Sequence, residues 1–220
     1  RGVLIQALFR GNFLIYGTAV CLQMFGDECA DLIAVLSGIT IMIYNFFSSL
    51  ILEYYAMKAD GAPIKVWKIA LRIAQNPLII GIVAGLLFQA SALTMPPALQ
   101  DTISEISKLA TPLALIVLGG SFSFKSLKKY RNYVLIIGII RQILIAGVIL
   151  LLAVIFGYRG YELGTIMCIF DAPVAVASFA MSKEFGADSD LAAVIIVFTT
   201  VLSCITIFVF TFILNTLQFL

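Results

Sequence analysis

The hydrophobic positions of this chain fall into long unbroken runs, not into the alternation of a half-buried strand. Seven runs can be drawn: A (Val3–Phe25), B (Leu32–Leu52), C (Leu78–Leu93), D (Leu109–Phe124), E (Tyr133–Phe156), F (Leu163–Ser182) and G (Leu191–Leu214). A helix needs about 20 apolar residues to cross bilayer hydrocarbon, so the pattern predicts an all-α integral membrane protein with seven transmembrane helices. C and D are short and are expected to recruit flanking residues or pair with a broken neighbour. The continuity of the runs argues against an outer-membrane barrel. Composition agrees: 62% of residues are hydrophobic and 12% charged, whereas a soluble domain carries about 25% charged residues.

The polar positions between the runs set a sidedness. Lys58, Lys65, Lys68 and Arg72 lie between B and C, and Lys125, Lys128, Lys129 and Arg131 between D and E. With Arg1 and Lys183 they make ten of the 14 basic residues, all on one side, which the positive-inside rule makes cytoplasmic. The acidic residues Asp27, Glu28, Asp31, Asp101, Glu105 and Glu162 fall opposite. Segment A then starts in the cytoplasm and the C-terminus lies outside a plasma membrane. Residues 63–75 place Ile64, Trp67, Leu71 and Ala74 on one helical face beside Lys65, Lys68 and Arg72, which suits an interfacial helix. The chain therefore divides into 1–56, an amphipathic linker 57–77, and 78–220.

Residues 24–35 have an echo at 184–194: Phe25-Gly26-Asp27 and Asp31-Leu32 recur as Phe185-Gly186-Ala187-Asp188 and Asp190-Leu191. The pair A–B thus resembles the pair F–G. By the sidedness above A and F run in opposite directions, the inverted-repeat plan of secondary transporters. C, D and E precede F, so three spans are expected before A, and the chain reads as a fragment of a longer protein.

A and F also share backbone breakers at membrane depth. F carries Asp171-Ala172-Pro173, and A carries Arg10-Gly11-Asn12 and Gly17. Proline removes a helical hydrogen bond, and a carboxylate at mid-bilayer costs at least about 2.5 kcal/mol on insertion scales. Paired interrupted helices in two halves point to a transport site. Arg141 and Gln142 lie deep in E, and Asp171 is the acidic residue inside a span, so Arg141 and Asp171 are expected to approach each other, directly or through water. Asn45 in B and Thr111-Pro112 in D are weaker polar candidates. Asn76-Pro77 suits a helix start, and Gly81, Gly85, Gly119 and Gly120 offer small faces for helix contact.

Some chemistry is excluded. The chain has no histidine, so His-dependent hydrolysis and His-ligated metals are out. The cysteines Cys21, Cys29, Cys168 and Cys204 lack a paired motif and read as small hydrophobes. A net charge of +2 is too weak for nucleic acid. Aspartyl proteolysis needs two carboxylates in one site, and no Walker-type nucleotide motif is present.

Phe9-Arg10-Gly11-Asn12-Phe13 with Gly17, Gln75-Asn76-Pro77-Leu78-Ile79-Ile80-Gly81, the run from Ala110 to Phe122, and Ala172-Pro173-Val174-Ala175-Val176-Ala177-Ser178 together resemble the auxin efflux carrier family. This resemblance covers the chain in order. It implies a ten-helix protein of two inverted five-helix repeats, similar in fold to bile acid/sodium symporters, whose fourth and ninth helices unwind and cross near the midplane. A would be the fourth and F the ninth, so the chain would hold the last seven of ten. Asn12 and Gly17 then fall at the first crossover and Ala172-Pro173 at the second. Two departures stand out: no proline lies near Ala19, and Asp171 occupies a position more often small and uncharged.

The resulting expectation is a secondary carrier, not an enzyme, for small organic anions such as mono- or dicarboxylates. It uses no cofactor beyond a proton or sodium ion for coupling. Its expected partners are the substrate, the bilayer and a second copy in a homodimer. Asn12, Thr18, Asn45 and Ser178 would supply neutral hydrogen bonds, Arg141 a charge, and Gly17, Asp171, Ala172 and Pro173 would shape or charge the crossover. A passive pore, a sodium-coupled symporter on the same fold and a non-transporting scaffold are the alternatives.

Overall fold

The computed structural model describes residues 1–59, 67, 71, 74, 75, 77–91 and 93–220. Most of the expected interfacial helix at 63–75 lies outside these. The described residues form helices, with one isolated two-residue bridge and no strand. The helices are α1 (Gly2–Phe9), α2 (Thr18–Phe25), α3 (Ala30–Ala59), α4 (Pro77–Ala90), α5 (Pro97–Ser121), α6 (Phe124–Gly138), α7 (Ala146–Ile155), α8 (Gly160–Phe170), α9 (Ala177–Glu184) and α10 (Ser189–Thr216). Wider π-helical turns at Phe13–Gly17 and Ile139–Ile145 join α1 to α2 and α6 to α7.

Among the described residues, four helical runs are long and apolar enough to cross a membrane: Phe13–Ala59, Pro97–Ser121, Phe124–Ile155 and Ser189–Thr216. Expected spans A and F are each split, A around residues 10–12 and F between Phe170 and Ala177. Span C is the 14-residue α4, about 21 Å of helix against about 30 Å of hydrocarbon. It begins at Pro77 and stops at Ala90, short of Leu93. Span D needs correction at both ends. Its helix starts at Pro97, because the expected loop residues Asp101, Glu105 and Lys108 sit on an exposed helical face where Lys108 pairs with Glu105 at 2.6 Å. It ends at Ser121, and Phe122 and Ser123 are extended before Phe124 opens α6. Gly81, Gly85, Gly119 and Gly120 meet no neighbour within 4 Å of where a Cβ would stand, so close helix contact is not their role among the described residues.

Two glycine turns fold the chain back. Gly26 (φ +59°) follows α2, and α3 returns along α1, setting Tyr55 against Gly2 and Tyr44 edge-on to Phe9. Gly186 (φ +64°) follows α9, and α10 returns along α9 and α8, bringing Thr199 to Val174 and Thr206 to Asp171. Both positions need the left-handed backbone that glycine adopts without strain.

The core is two apolar clusters with polar groups between them. One contains Val3, Ala7, Leu52, Val134, Phe179, Met181 and 191–196. The other contains Phe13, Cys21, Cys29, Leu150, Leu163, Met167, Cys168 and Ile207. Three cysteines far apart in sequence therefore share one cluster, while Cys204 is exposed. Between the clusters lie the buried Arg10, Arg141, Gln142, Asp171, Thr199 and Thr206.

Candidate functional site: two helix breaks joined back to back

The first break begins where Arg10 turns to an extended conformation (φ −79°, ψ 95°) and closes α1 with its N–H on the Gln6 carbonyl. Asn12 follows with φ −86°, ψ 44°, and its carbonyl accepts from Tyr16 and Gly17, opening the wide turn into α2. The second break begins at Asp171, whose N–H reaches the Met167 carbonyl. Pro173 cannot donate and biases Ala172 towards extended backbone. Val176 regains helical angles and α9 starts at Ala177.

Each break satisfies the other. Asn12 N–H donates to the Pro173 carbonyl at 2.7 Å, and Ala175 N–H donates to the Arg10 carbonyl at 3.2 Å, forming an antiparallel bridge between Gly11 and Val174. The remaining Val174 N–H donates to Thr199 Oγ1 at 3.1 Å. Buried backbone groups must find partners, and here four elements supply them.

Arg141 completes this arrangement. It is 2% exposed and sits in the wide turn between α6 and α7. Its Nη1 donates to the carbonyls of Ala7 (3.2 Å) and Leu8 (3.0 Å), and its Nη2 and Nε to the Ala172 carbonyl (3.0 and 3.3 Å). A guanidinium at the C-terminal end of α1 also meets the negative end of that helix dipole. Arg141 and Asp171, expected to approach each other directly or through water, lie within electrostatic reach but share no direct hydrogen bond among the described residues: the donors of Arg141 go to backbone carbonyls that the breaks leave without helical partners. Asp171, fully buried, instead accepts from Thr206 Oγ1 at 2.7 Å, and its Oδ2 has no partner. A Cβ on Gly11 would stand 2.6 Å from Arg141 Nη2, so a side chain there would push the guanidinium away from the carbonyls it holds.

A cavity of about 230 Å³ opens beside the first break, between the wide turn Phe13–Gly17, α3 and the start of α9. Arg10, Asn12, Ser37, Tyr44, Asn45 and Ala177 are among its walls, the rest being mostly apolar. Arg10 Nη2 donates to Asn45 Oδ1 at 2.7 Å, and Nη1 lies 2.9 Å from Met181 Sδ and 3.4 Å from the Tyr44 carbonyl. Its neighbours in this cavity are neutral. The first residue of α9, Ala177, lines the same space, while the next two N–H groups, of Ser178 and Phe179, already donate to the carbonyls of Ala175 (2.9 Å) and Val176 (3.0 Å).

Of the expected site residues, Asn12 and Asn45 line this cavity. Gly17 does not: it packs on α8, where a Cβ would stand 2.5 Å from the Cys168 carbonyl oxygen. Thr18 donates back to the Phe13 carbonyl at 3.2 Å. Ser178 is buried with an unpartnered hydroxyl. Ala172 and Pro173 contribute carbonyls to the junction, and Arg141 and Asp171 lie behind it. The cation in the cavity is Arg10, which the sequence places inside a span near the crossover but not among the expected substrate-binding residues. The signal was available: an arginine inside an apolar run, followed by Gly-Asn, with no acidic residue within helical reach.

Apolar helices of spanning length thus surround two interrupted segments joined by the Gly11–Val174 bridge. Residues 2–211 match the family model described as membrane transport protein. The chain belongs to that family, the auxin efflux carrier family its motifs resemble. No curated protein matches the chain closely.

Proposed function

We propose that the chain carries small organic anions across the plasma membrane by secondary active transport, with the cavity beside the first break as the substrate site. The observation that carries this reading is Arg10: a buried cation lining a cavity, held by Asn45 amide oxygen, a thioether and a carbonyl rather than by an acid. Such a cation stays available to a carboxylate, and charge-assisted pairs of this kind are the strong ones. The start of α9 adds the positive end of a helix dipole at the same wall. Asn12 supplies a neutral amide.

In this reading the split segments also cross the bilayer, giving seven spans. A–B and F–G are inverted copies, supported by the matching left-handed turns at Gly26 and Gly186. The basic loops face the cytoplasm and the C-terminus faces outside, on the strength of the charge bias alone. Transport proceeds by alternating access around the joined breaks, driven by a proton or sodium gradient.

The test is thermal stabilisation of the protein by a panel of mono- and dicarboxylates, followed by counterflow in vesicles. The expected result is stabilisation by at least one carboxylate, lost in Arg10→Gln, with saturable counterflow of that compound. Stabilisation unchanged in Arg10→Gln would remove this cavity as the site. Flux that does not saturate and shows no counterflow would make the protein a pore.

A further inference from the structure

Asp171 is the buried ionisable group that the anion site does not use. Its side chain is fully buried at the end of α8. Oδ1 has the Thr206 hydroxyl at 2.7 Å and Oδ2 has no hydrogen-bond partner among the described residues. The groups facing it are Cys168 on its own helix, Thr206 on α10, Tyr16 from the first wide turn and Arg141 from the second wide turn. Arg141 is the cation of this set, and its hydrogen bonds go to Ala7, Leu8 and Ala172. A buried carboxylate with one neutral donor and no ion pair is strongly disfavoured, whereas a carboxylic acid there is not.

Thr206 is placed to serve the acid. Besides Asp171 Oδ1, its Oγ1 lies 3.3 Å from the Leu202 carbonyl and 3.4 Å from that of Ser203. When the carboxyl holds a proton, it can donate to Thr206, which then donates to its own helix backbone. When the carboxyl is charged, the hydroxyl turns to it instead. One rotation of one hydroxyl therefore accommodates either state. Charging Asp171 would also draw Arg141 from the Ala172 carbonyl next to it. That carbonyl and those of Ala7 and Leu8 are what Arg141 uses to hold both breaks.

We propose that Asp171 is a proton-binding site, occupied in the conformation described here and emptied as the second break rearranges, so that the proton is the coupling ion. The coupling rests on the carrier reading; the proton site does not.

The experiment uses the full chain in lipid vesicles and needs no substrate. Infrared spectroscopy at neutral pH is expected to show a protonated-carboxyl carbonyl band that is absent in Asp171→Asn and displaced in frequency in Thr206→Val. Amide hydrogen exchange over residues 168–178 is expected to match between wild type and Asp171→Asn at acid pH. At alkaline pH, wild type is expected to exchange roughly tenfold faster than the variant, since charging loosens the break. A wild-type spectrum without the band overturns the proposal. So does a band that neither substitution alters, and the Thr206→Val arm decides this even if Asp171→Asn does not fold. Exchange that matches at every pH removes the link to the break. The band together with an absence of saturable carboxylate uptake would retire the carrier and leave the proton site standing.

Discussion

The two breaks solve one problem with different residues. At the second, Pro173 removes a donor, the segment Asp171–Val176 is wholly buried, and α10 supplies Thr199 and Thr206 to its backbone and carboxyl. At the first there is no proline; Gly11 allows the close approach, a wide turn restarts the helix, and one flank opens onto the cavity holding Arg10. The buried break carries the acid and the open one carries the base. Burial on all sides suits a group that exchanges only a proton, and an open flank suits one that must meet a solute. What fastens them together is Arg141, which belongs to neither.

The most severe way to break this comparison is therefore to remove the fastening. Arg141→Ala leaves the carbonyls of Ala7, Leu8 and Ala172 buried without those donors. At about 1–3 kcal/mol for each of the three orphaned groups, a loss on the order of 3–9 kcal/mol is expected. Thermal or denaturant unfolding in detergent would read it. A loss below 1 kcal/mol would mean that the two breaks hold each other through the Gly11–Val174 bridge alone.

Next comes the packing of the first break on α8. Gly17→Ala puts a methyl 2.5 Å from the Cys168 carbonyl oxygen and 2.7 Å from the Phe13 ring. Backbone cannot yield as a side-chain tip does, so about 3 kcal/mol of destabilisation is expected, at the upper end of ordinary overpacking. Gly120→Ala is the control, because nothing lies within 4 Å of its added methyl. Helix propensity favours alanine at both positions, so an equal change at Gly17 and Gly120 would show that close approach does not set the outcome at Gly17.

How much of this could be read in advance follows the physics of each signal. Apolar run length located B, E and G, since a long continuous run has little alternative to a helix. The breaks were visible because Pro173 and Gly11 act on their own backbone, whatever surrounds them. The role of Arg141 was not visible. Its acceptors are main-chain carbonyls that exist as acceptors only because two other helices stop there, and a search among side chains found Asp171 instead. The place of Arg10 inside a span is legible in the sequence, but its partners are not, since Asn45 and Met181 are 35 and 171 residues away. The start of α5 was misjudged because an exposed ion pair lets charged residues continue a helix that hydropathy had ended.

Arg10→Gln sharpens the comparison from the functional side. The substitution keeps a donor for Asn45 and removes the charge. If the open break is the solute site, affinity for a stabilising carboxylate should fall roughly tenfold to a hundredfold, or about 1.4–2.8 kcal/mol. Isothermal titration would measure it. Asp171→Asn in parallel should change that affinity at neutral pH little, because the acid already holds a proton there. The reverse ranking would exchange the roles of the two breaks.

The smallest effect concerns how each returning turn is tied down. Around Gly186 there is a strap: Lys129 Nζ donates to Tyr130 Oη at 2.7 Å, Tyr130 Oη donates to Asp188 Oδ2 at 2.6 Å, and Asp188 Oδ1 caps α10 at Leu191 N–H. Around Gly26 the corresponding contact is a thiol, Cys29 Sγ on the Gly26 carbonyl at 3.3 Å. Tyr130→Phe cuts the strap and leaves the cap. Exposed polar contacts of this kind contribute up to about 1 kcal/mol, so global stability should move by no more than that. Amide exchange over residues 185–192 should nevertheless rise, while exchange over 25–31 stays unchanged. A rise at both turns would mean that the strap restrains the whole bundle, and that the two halves are less independent than their separate turns imply.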